Sequence, residues 1–402
     1  MMNIGIYFES SKGTGGAHHQ NIKLIDIFKN NLKEKFNLTY IVPNQDQKKT
    51  IESNGEKAII FKKNLRHRIE QFIFRFPFFK EIYKKFSLAS KFESFLSKRK
   101  LDLIFFNSPI ETTLLLNKIN FIVMLLSMQH RTHGFFPEYR NNHDNEIRDN
   151  IIENAVKKSF KIFVGANKDK DFLVRFFNCE PEKVIVQSYM FTLPSLYEEN
   201  ISLDYENIFN DLKLPSKKKI LIYPAQFWAH KNHKYILDVA VDLKKNKISD
   251  TYFVFCGFDK GNLNYIKSVI KKENLDEYFK IFDYINDFQL IALYKKCFGI
   301  FMPTFIGHTV IPMYEAFYFK KNIFYTKGLS DIELSEHLTE IDINHINSFL
   351  EKYEFIKKNE ESNKKKMDEA KLFFDKHCDK KIVSDNFNKV FSEYEKYKNT
   401  WS

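Results

Sequence analysis

Pro303-Thr304-Phe305-Ile306-Gly307-His308-Thr309-Val310-Ile311-Pro312-Met313-Tyr314-Glu315-Ala316 follows the apolar run Phe298 to Met302 and leads into a helical pattern that opens at Pro312. The order is strand, loop, helix N-terminus, with Gly307 where the loop turns. Backbone N–H groups at a helix start have no partner within the helix and carry partial positive charge, so they attract anions, phosphates above all. Glu315, about one turn in, offers a carboxylate that accepts hydrogen bonds from sugar hydroxyls. Phosphate and sugar recognised side by side point to a nucleotide-sugar.

The same order repeats on both sides of this stretch. Strands are predicted at Ile220 to Tyr223, Tyr252 to Cys256, Lys280 to Phe282, Gly299 to Met302 and Ile323 to Tyr325. Helices are predicted between them over about 232–245, 262–273, 287–296 and 312–320. The first half reads alike. Strands fall at Ile4 to Phe8, Leu38 to Val42, Ala58 to Phe61, Leu101 to Phe106, Phe121 to Met128 and Lys161 to Gly165, with helices at Ala17 to Lys33 and about 145–159. Strands alternating with helices of this length imply parallel sheets covered on both faces.

A chain of 402 residues suits two such domains, and no short-period repeat interrupts them. The expectation is an α/β protein of two doubly wound, Rossmann-like domains with a cleft between them. The N-terminal domain is placed at 1–195 and a linker at 196–218, where acidic residues and Asn give way to Leu214-Pro215-Ser216-Lys217-Lys218-Lys219. The C-terminal, nucleotide-sugar-binding domain is placed at 219–375. A C-terminal helix, 376–402, is expected to pack back on the N-terminal domain. Its apolar stripe is Val383, Phe387, Val390 and Phe391, read as one pattern with Phe373 and Phe374. Ligands in doubly wound sheets bind beyond the carboxyl ends of the strands.

Composition bounds the partners. Lys and Arg number 63 against 51 Asp and Glu, a net charge of +12. That charge favours anionic partners, and a Lys-rich solvated surface accounts for it equally well. Nucleic acid is not expected, because charge alone argues for it and no binding motif does. Cys179, Cys256, Cys297 and Cys378 lie far apart without C-x-x-C spacing, which reads as reduced thiols rather than a disulfide frame or zinc site. Asn3 to Glu9 reads as a first strand and not a signal peptide. The longest clean apolar stretch, Phe121 to Leu126, is far too short to span a bilayer. A cytoplasmic protein is expected, soluble or peripheral at the inner face of a bacterial membrane. Residues 62–100 are basic and aromatic, which fits either helices packed on a sheet or contact with an anionic membrane.

Three further stretches carry chemistry. Tyr223-Pro224-Ala225-Gln226-Phe227-Trp228-Ala229-His230-Lys231-Asn232-His233 starts at a strand end, and Lys231 sits where a helix begins. Its ammonium and the helix dipole would meet a pyrophosphate together. No carboxylate or thiolate nearby completes a metal set with His230 and His233, and Asn232 reads as an N-cap. Ser127-Met128-Gln129-His130-Arg131-Thr132-His133-Gly134-Phe135-Phe136-Pro137-Glu138-Tyr139 ends a strand of the first domain. An imidazole there shuttles a proton or bonds a substrate hydroxyl, and a structural loop is the alternative. Gly13-Thr14-Gly15-Gly16 follows the first strand without either common phosphate-loop spacing. It fits a phosphate approach or a loop that needs positive φ.

Taken together these residues resemble the glycosyltransferase family 4 group of GT-B enzymes. Ile220 to His233 looks like the family's strand and basic phosphate loop, and Phe253-Val254-Phe255-Cys256-Gly257 like its next strand–Gly turn. Phe282 to Tyr294 is similar to its G-x-V-x-D-x-x-L-x-x-L-Y segment, and Pro303 to Ala316 resembles its Glu-x7-Glu signature. Gln226-Phe227-Trp228 with His230-Lys231-Asn232-His233, and Gln129-His130-Arg131 with Phe135-Phe136-Pro137-Glu138, look like a subset that includes mannosyltransferases of bacterial surface polysaccharide synthesis.

The resemblance implies retaining transfer of a hexose, mannose among the candidates, from a nucleotide-sugar to a growing glycan or lipid-linked glycan such as lipopolysaccharide or capsule. No metal and no other cofactor is implied. Lys231 would neutralise the diphosphate, and Gly15 and Gly16 would approach the phosphates or the sugar. Glu315 would hold the ribose, and amides around Thr309 and Val310 would stabilise developing charge. Gln226 stands where the family has a basic residue, and Gly307 where it has the first Glu of the signature, with His308 beside it. His130 stands in for the family's first-domain histidine, with Arg131, His133 and Glu138 on the acceptor side. Two other readings keep the fold: a non-catalytic nucleotide-sugar-binding subunit, suggested by Gly307 and Gln226, and a nucleotide-sugar epimerase.

Overall fold

Strands covered on both faces read as unbroken apolar runs, and such runs are where the backbone is extended. The computed structural model describes residues 1–9, 16–76, 78–79, 89–140, 144–188 and 203–401. β1 (Asn3–Tyr7), β2 (Asn37–Val42), β3 (Ala58–Ile60), β4 (Leu103–Phe106), β5 (Asn120–Leu125), β6 (Ile162–Val164) and β7 (Val184–Val186) form one sheet, ordered β3-β2-β1-β4-β5-β6-β7. β8 (Lys219–Pro224), β9 (Thr251–Cys256), β10 (Phe279–Phe282), β11 (Gly299–Met302), β12 (Asn322–Thr326) and β13 (Thr339–Ile341) form a second, ordered β10-β9-β8-β11-β12-β13. Every pairing between these strands is parallel. Both sheets are doubly wound: the order reverses between β1 and β4 in one and between β8 and β11 in the other.

The chain divides into two compact units. One comprises Met1–Gly134, Tyr139–Met190 and Asp379–Ser402, the other Phe135–Glu138 and Phe191–Cys378. Part of the expected linker, 196–218, lies outside the described residues; its described part includes the helix Tyr205–Asp211, capped by Asp204. In the first unit the helix Lys380–Lys398 buries Val383, Phe387, Val390, Phe391 and Tyr394 among Phe28, Phe36, Phe105 and Phe163. Phe387 stacks on Phe163 at 4.6 Å between centroids and meets Phe28 edge-on at 4.9 Å.

The apolar stripe read as continuous across the tail is interrupted. Phe373 packs on Phe317 and His337 in the second unit, and the chain restarts as a new helix after Cys378, where Asp379 accepts from Lys381 N–H. Two edge strands, β7 and β13, and the helix Gln45–Ser53 carry too weak a pattern to be read from sequence. β7 and β13 have three residues each, and the helix buries only Gln47 and Ile51. No described helix is long and apolar enough to cross a membrane.

Candidate functional site

β8 and β11 are neighbours at the reversal of the second sheet, and the two informative loops leave their carboxyl ends. After β8 the chain makes a turn of 3₁₀ helix, Ala229–Lys231, and enters the helix His233–Lys245. Asn232 holds the N-cap position with φ of 53° and no side-chain cap, so its contribution is a left-handed turn rather than the expected capping bond. Phe227 anchors the loop, fully buried, with its N–H on Phe258 O at 3.0 Å. Gly257 makes room for the turn: a Cβ there would lie 2.3 Å from Ala225 O.

His233 is a packing ring. It stacks on Phe227 at 4.7 Å, lies 4.7 Å from Tyr223 and meets Phe255 edge-on at 5.0 Å. Burial pushes its pKa down to about 3, with the charges of Lys231 and His230 acting in the same direction. It is neutral at physiological pH.

Hydrogen bonds from β8 and from the second loop hold the backbone of His230 and Lys231. Tyr223 OH donates to Lys231 O at 2.9 Å. His230 O accepts from Phe305 N–H at 2.9 Å, with Thr304 Oγ1 3.2 Å away. Thr326 Oγ1 donates to Thr304 O at 2.6 Å. Glu138 joins this loop from far away in sequence. Its Oε1 accepts from His230 N–H at 3.1 Å and pairs with the ring Nδ1. Phe136 lies 6.1 Å from the His230 ring and 5.6 Å from Phe305.

The Lys231 ammonium is partly buried and has no hydrogen-bond acceptor among the described residues. Burial pulls its pKa down to about 8, and Glu138 acts against that fall. Gln226 Oε1 accepts from Trp228 Nε1 at 3.0 Å, which turns the amide NH₂ away from that bond as a donor.

The loop after β11 turns at Gly307, where φ is +125°. A Cβ there would sit 3.1 Å from Val310 Cγ1 and 3.3 Å from Tyr325 OH, and Tyr325 OH donates to Gly307 O at 2.5 Å. The position therefore selects glycine for backbone reasons. Val310 precedes the helix Ile311–Tyr318 in extended conformation, and no side chain caps that helix. His308 and Val310 are partly buried; Thr309 is buried and donates to Tyr314 OH at 3.0 Å.

Glu315, only 4 % exposed, accepts from Tyr294 OH at 2.7 Å. Burial pushes its carboxyl up to about 7; the Tyr294 bond lowers it and the charge of Asp287 raises it. Its Oε1 has no described partner. An ammonium, an uncapped helix start and a buried carboxylate thus share the reversal point of one sheet, a combination able to hold an anion beside a hydroxyl.

The first-unit candidates are arranged differently. Gly15 lies outside the described residues, and Gly16 opens the helix Gly16–Asn31. His130 is buried with Nε2 2.7 Å from Asp149 Oδ1. Arg131 Nε donates to both Asp149 oxygens at 2.9 and 3.0 Å, and Nη1 to Phe176 O at 2.6 Å. Burial opposes charge on Asp149, but the bonds from His130 and Arg131 hold its carboxyl below the ordinary range. His133 Nδ1 lies 2.9 Å from Thr132 Oγ1. Among the described residues no group of three or more His, Cys, Asp and Glu is placed to hold a metal ion.

Sequence reasoning missed Tyr294, Tyr325 and Asp149 as partners, and read Gly257 as a strand–Gly turn without its close approach to Ala225. A tyrosine next to a buried carboxylate leaves no local pattern.

Residues 204–373 match the family model described as glycosyl transferases group 1. Among solved structures, a glycosyltransferase from Rickettsia africae is 16 % identical, covers 98 % of this chain and 99 % of its own, and superposes with a TM-score of 0.71. The Anabaena protein HepE in complex with UDP-glucose is 12 % identical over 98 % of this chain and 100 % of its own, TM-score 0.70. The UDP-GlcNAc 2-epimerase from Neisseria meningitidis, bound to UDP-GlcNAc, is 14 % identical over 96 % and 100 %, TM-score 0.62. No curated protein matches the chain by sequence. These likenesses establish the GT-B fold, two parallel-sheet Rossmann-like domains. The same fold carries a transferase and an epimerase, so the reaction must be argued from the site.

Proposed function

We propose that the chain is a retaining glycosyltransferase that moves a hexose, with mannose a candidate, from a nucleoside diphosphate sugar to a growing bacterial surface glycan in the cytoplasm. The observation that carries this is the Lys231 ammonium after β8, without a hydrogen-bond acceptor among the described residues, and, after the neighbouring strand β11, a helix start that no described side chain caps, with Glu315 on that same helix. The match of 204–373 to the glycosyl transferases group 1 model supports it.

In this reading Lys231 meets the diphosphate and neutralises the charge that grows as the sugar–phosphate bond breaks. Amides near Thr309 and Val310, fixed before substrate arrives, stabilise the same charge. The Gln226 amide supplies a neutral hydrogen bond where the family places a cation. Glu315 Oε1 takes a ribose hydroxyl, and Gly307 and His308 line the sugar side. The leaving phosphate guides the acceptor hydroxyl to the face it vacates, so no covalent nucleophile and no metal take part. His130, its Nε2 held by Asp149, is the proposed proton-shuttling imidazole, with Arg131 and His133 beside it in sequence. Glu138 is better read as support for the Lys231 loop than as an acceptor contact, because its two hydrogen-bond contacts go to His230 and its charge acts on Lys231.

HepE is solved with UDP-glucose, which places UDP-sugars first in a donor screen beside GDP- and dTDP-sugars. One donor should raise the melting point and turn over with a glycan acceptor. Lys231→Ala and Glu315→Ala should each lower kcat/KM at least about 100-fold, roughly 3 kcal/mol of transition-state stabilisation. Full turnover in both variants would refute the site. The epimerase likeness favours a second reading, separated by the acceptor: an epimerase converts the nucleotide-sugar alone. Binding without turnover across the panel would point to the non-catalytic subunit.

A further inference from the structure

The helix Leu65–Phe74 has two apolar faces. His67 and Phe74 are buried against the first sheet's core. Leu65, Ile69, Phe72 and Phe76, spaced i, i+4, i+7 and i+11, form a second stripe exposed at 74, 50, 60 and 45 %. Phe78 and Phe79 extend it at 71 and 52 %. The rings associate with each other: Phe72 and Phe76 at 5.3 Å, Phe76 and Phe79 at 6.2 Å, Phe78 and Phe79 at 5.6 Å. Six large apolar side chains in fifteen residues form a contiguous exposed patch, the kind that marks an interaction site.

Charge identifies the occupant. Lys62, Arg66 and Arg68 are exposed on and beside the same helix, and Lys80, Lys84 and Lys85 follow in sequence. Residues 62–100 hold twelve Lys and Arg against three Glu, so nine of the chain's net twelve positive charges fall in this stretch. A second copy docking on this face would bring like-charged rims together. Phe and Leu on one face with Lys and Arg at its edge suit an anionic lipid surface, where rings enter the headgroup boundary and cations meet phosphates.

We propose that this face docks the protein on an anionic membrane, with Phe72, Phe76 and Phe79 entering the interface and Lys62 and Arg68 contacting headgroups. The proposal goes beyond the transferase reading and stands or falls separately from it.

The test is flotation of the full chain with vesicles of phosphatidylcholine alone and of phosphatidylcholine mixed with phosphatidylglycerol. Binding should require phosphatidylglycerol and weaken with salt. Phe72→Ser, Phe76→Ser and Phe79→Ser together should weaken it at least about tenfold, and Lys62→Glu with Arg68→Glu should do the same. All five positions are exposed, and circular dichroism with the melting point checks that each variant folds. Donor turnover without lipid should be unchanged in both variants, which separates this test from that of the site. Three results would overturn the proposal: no binding by the wild type, equal binding to both vesicle types, or unchanged binding by the triple serine variant. Lipid-free sedimentation showing a dimer that the serine variant dissociates would assign the face to a second copy instead.

Discussion

Tyr294 donates its phenolic proton to Glu315 across 2.7 Å, joining the helix Asp287–Lys296 to the helix Ile311–Tyr318 inside the second unit. A buried carboxylate without that donor is left short of one partner. Tyr294→Phe should cost about 1–3 kcal/mol of stability. It should also raise the pKa of Glu315 further, because the bond is what lowers it. Thermal unfolding and donor KM measured across pH read both effects, and an unchanged acid limb of the KM profile would exclude the coupling.

Glu315 also makes stability depend on pH. Its folded pKa, about 7, lies above its ordinary 4.5, so the folded state holds this proton more tightly than the unfolded state. The stabilisation is complete below about pH 4.5 and is lost as pH rises to about 7, a change of about 3 kcal/mol. Glu315→Gln should flatten that fall. Urea titrations of both proteins across this window measure it, and parallel curves would count against a buried, protonated Glu315.

Lys231 acts at the other end of the scale. Its pKa is pulled from 10.5 to about 8, so the ammonium is lost as pH rises past that value, and donor affinity should fall with it. Because the folded value is the lower one, the charged side chain penalises folding below about pH 8, and the penalty fades as pH rises toward 10.5. Lys231→Met should therefore abolish donor binding yet stabilise the ligand-free protein at neutral pH. Isothermal titration and thermal melts, taken together, distinguish this from a variant that is merely misfolded.

Glu138→Gln keeps an acceptor for His230 N–H and removes the negative charge that holds the Lys231 pKa up. The alkaline limb of donor binding should move to lower pH. Glu138→Ala should in addition loosen the loop and raise donor KM. Identical pH profiles for wild type and Glu138→Gln would show that the carboxylate acts through structure alone.

Gly307→Ala forces a Cβ into a positive-φ turn already 3.1 Å from Val310 Cγ1, and should cost about 1–3 kcal/mol while weakening donor binding. Gly307→Glu, which supplies the first glutamate of the Glu-x7-Glu pattern that this stretch resembles, should meet the same strain and fail to improve turnover. Melting points and steady-state kinetics on both variants decide it; a Glu variant of higher kcat would mean that the loop tolerates other backbones.

Much of the fold was legible because its signals are local. Ile220 to Tyr223 and Gly299 to Met302 are apolar runs because their strands are covered on both faces, and the structure extends both. Short edge strands were not legible: in β13, Thr339-Glu340-Ile341 carries one buried apolar residue and pairs with one neighbour. Asn232 has the identity of an N-cap, but the φ that decides its role comes from the packing of Phe227 and His233 around it.

The sequence alone determined that strands alternate with helices, that Lys231 stands at one strand–helix junction and that Gly307 and Glu315 flank another. Each is a property of neighbouring residues, set by backbone preference and apolar periodicity. Only the tertiary structure decided which groups meet. Glu138 reaches His230 across 92 positions, Tyr294 finds Glu315 across 21, and Asp149 is placed to hold both His130 and Arg131. Burial shifts the charge states of Glu315 and Lys231, and Tyr294 and Glu138 act against those shifts. The charge states thus depend on burial and on a partner's distance, and both follow from how remote segments pack rather than from any pattern along the chain.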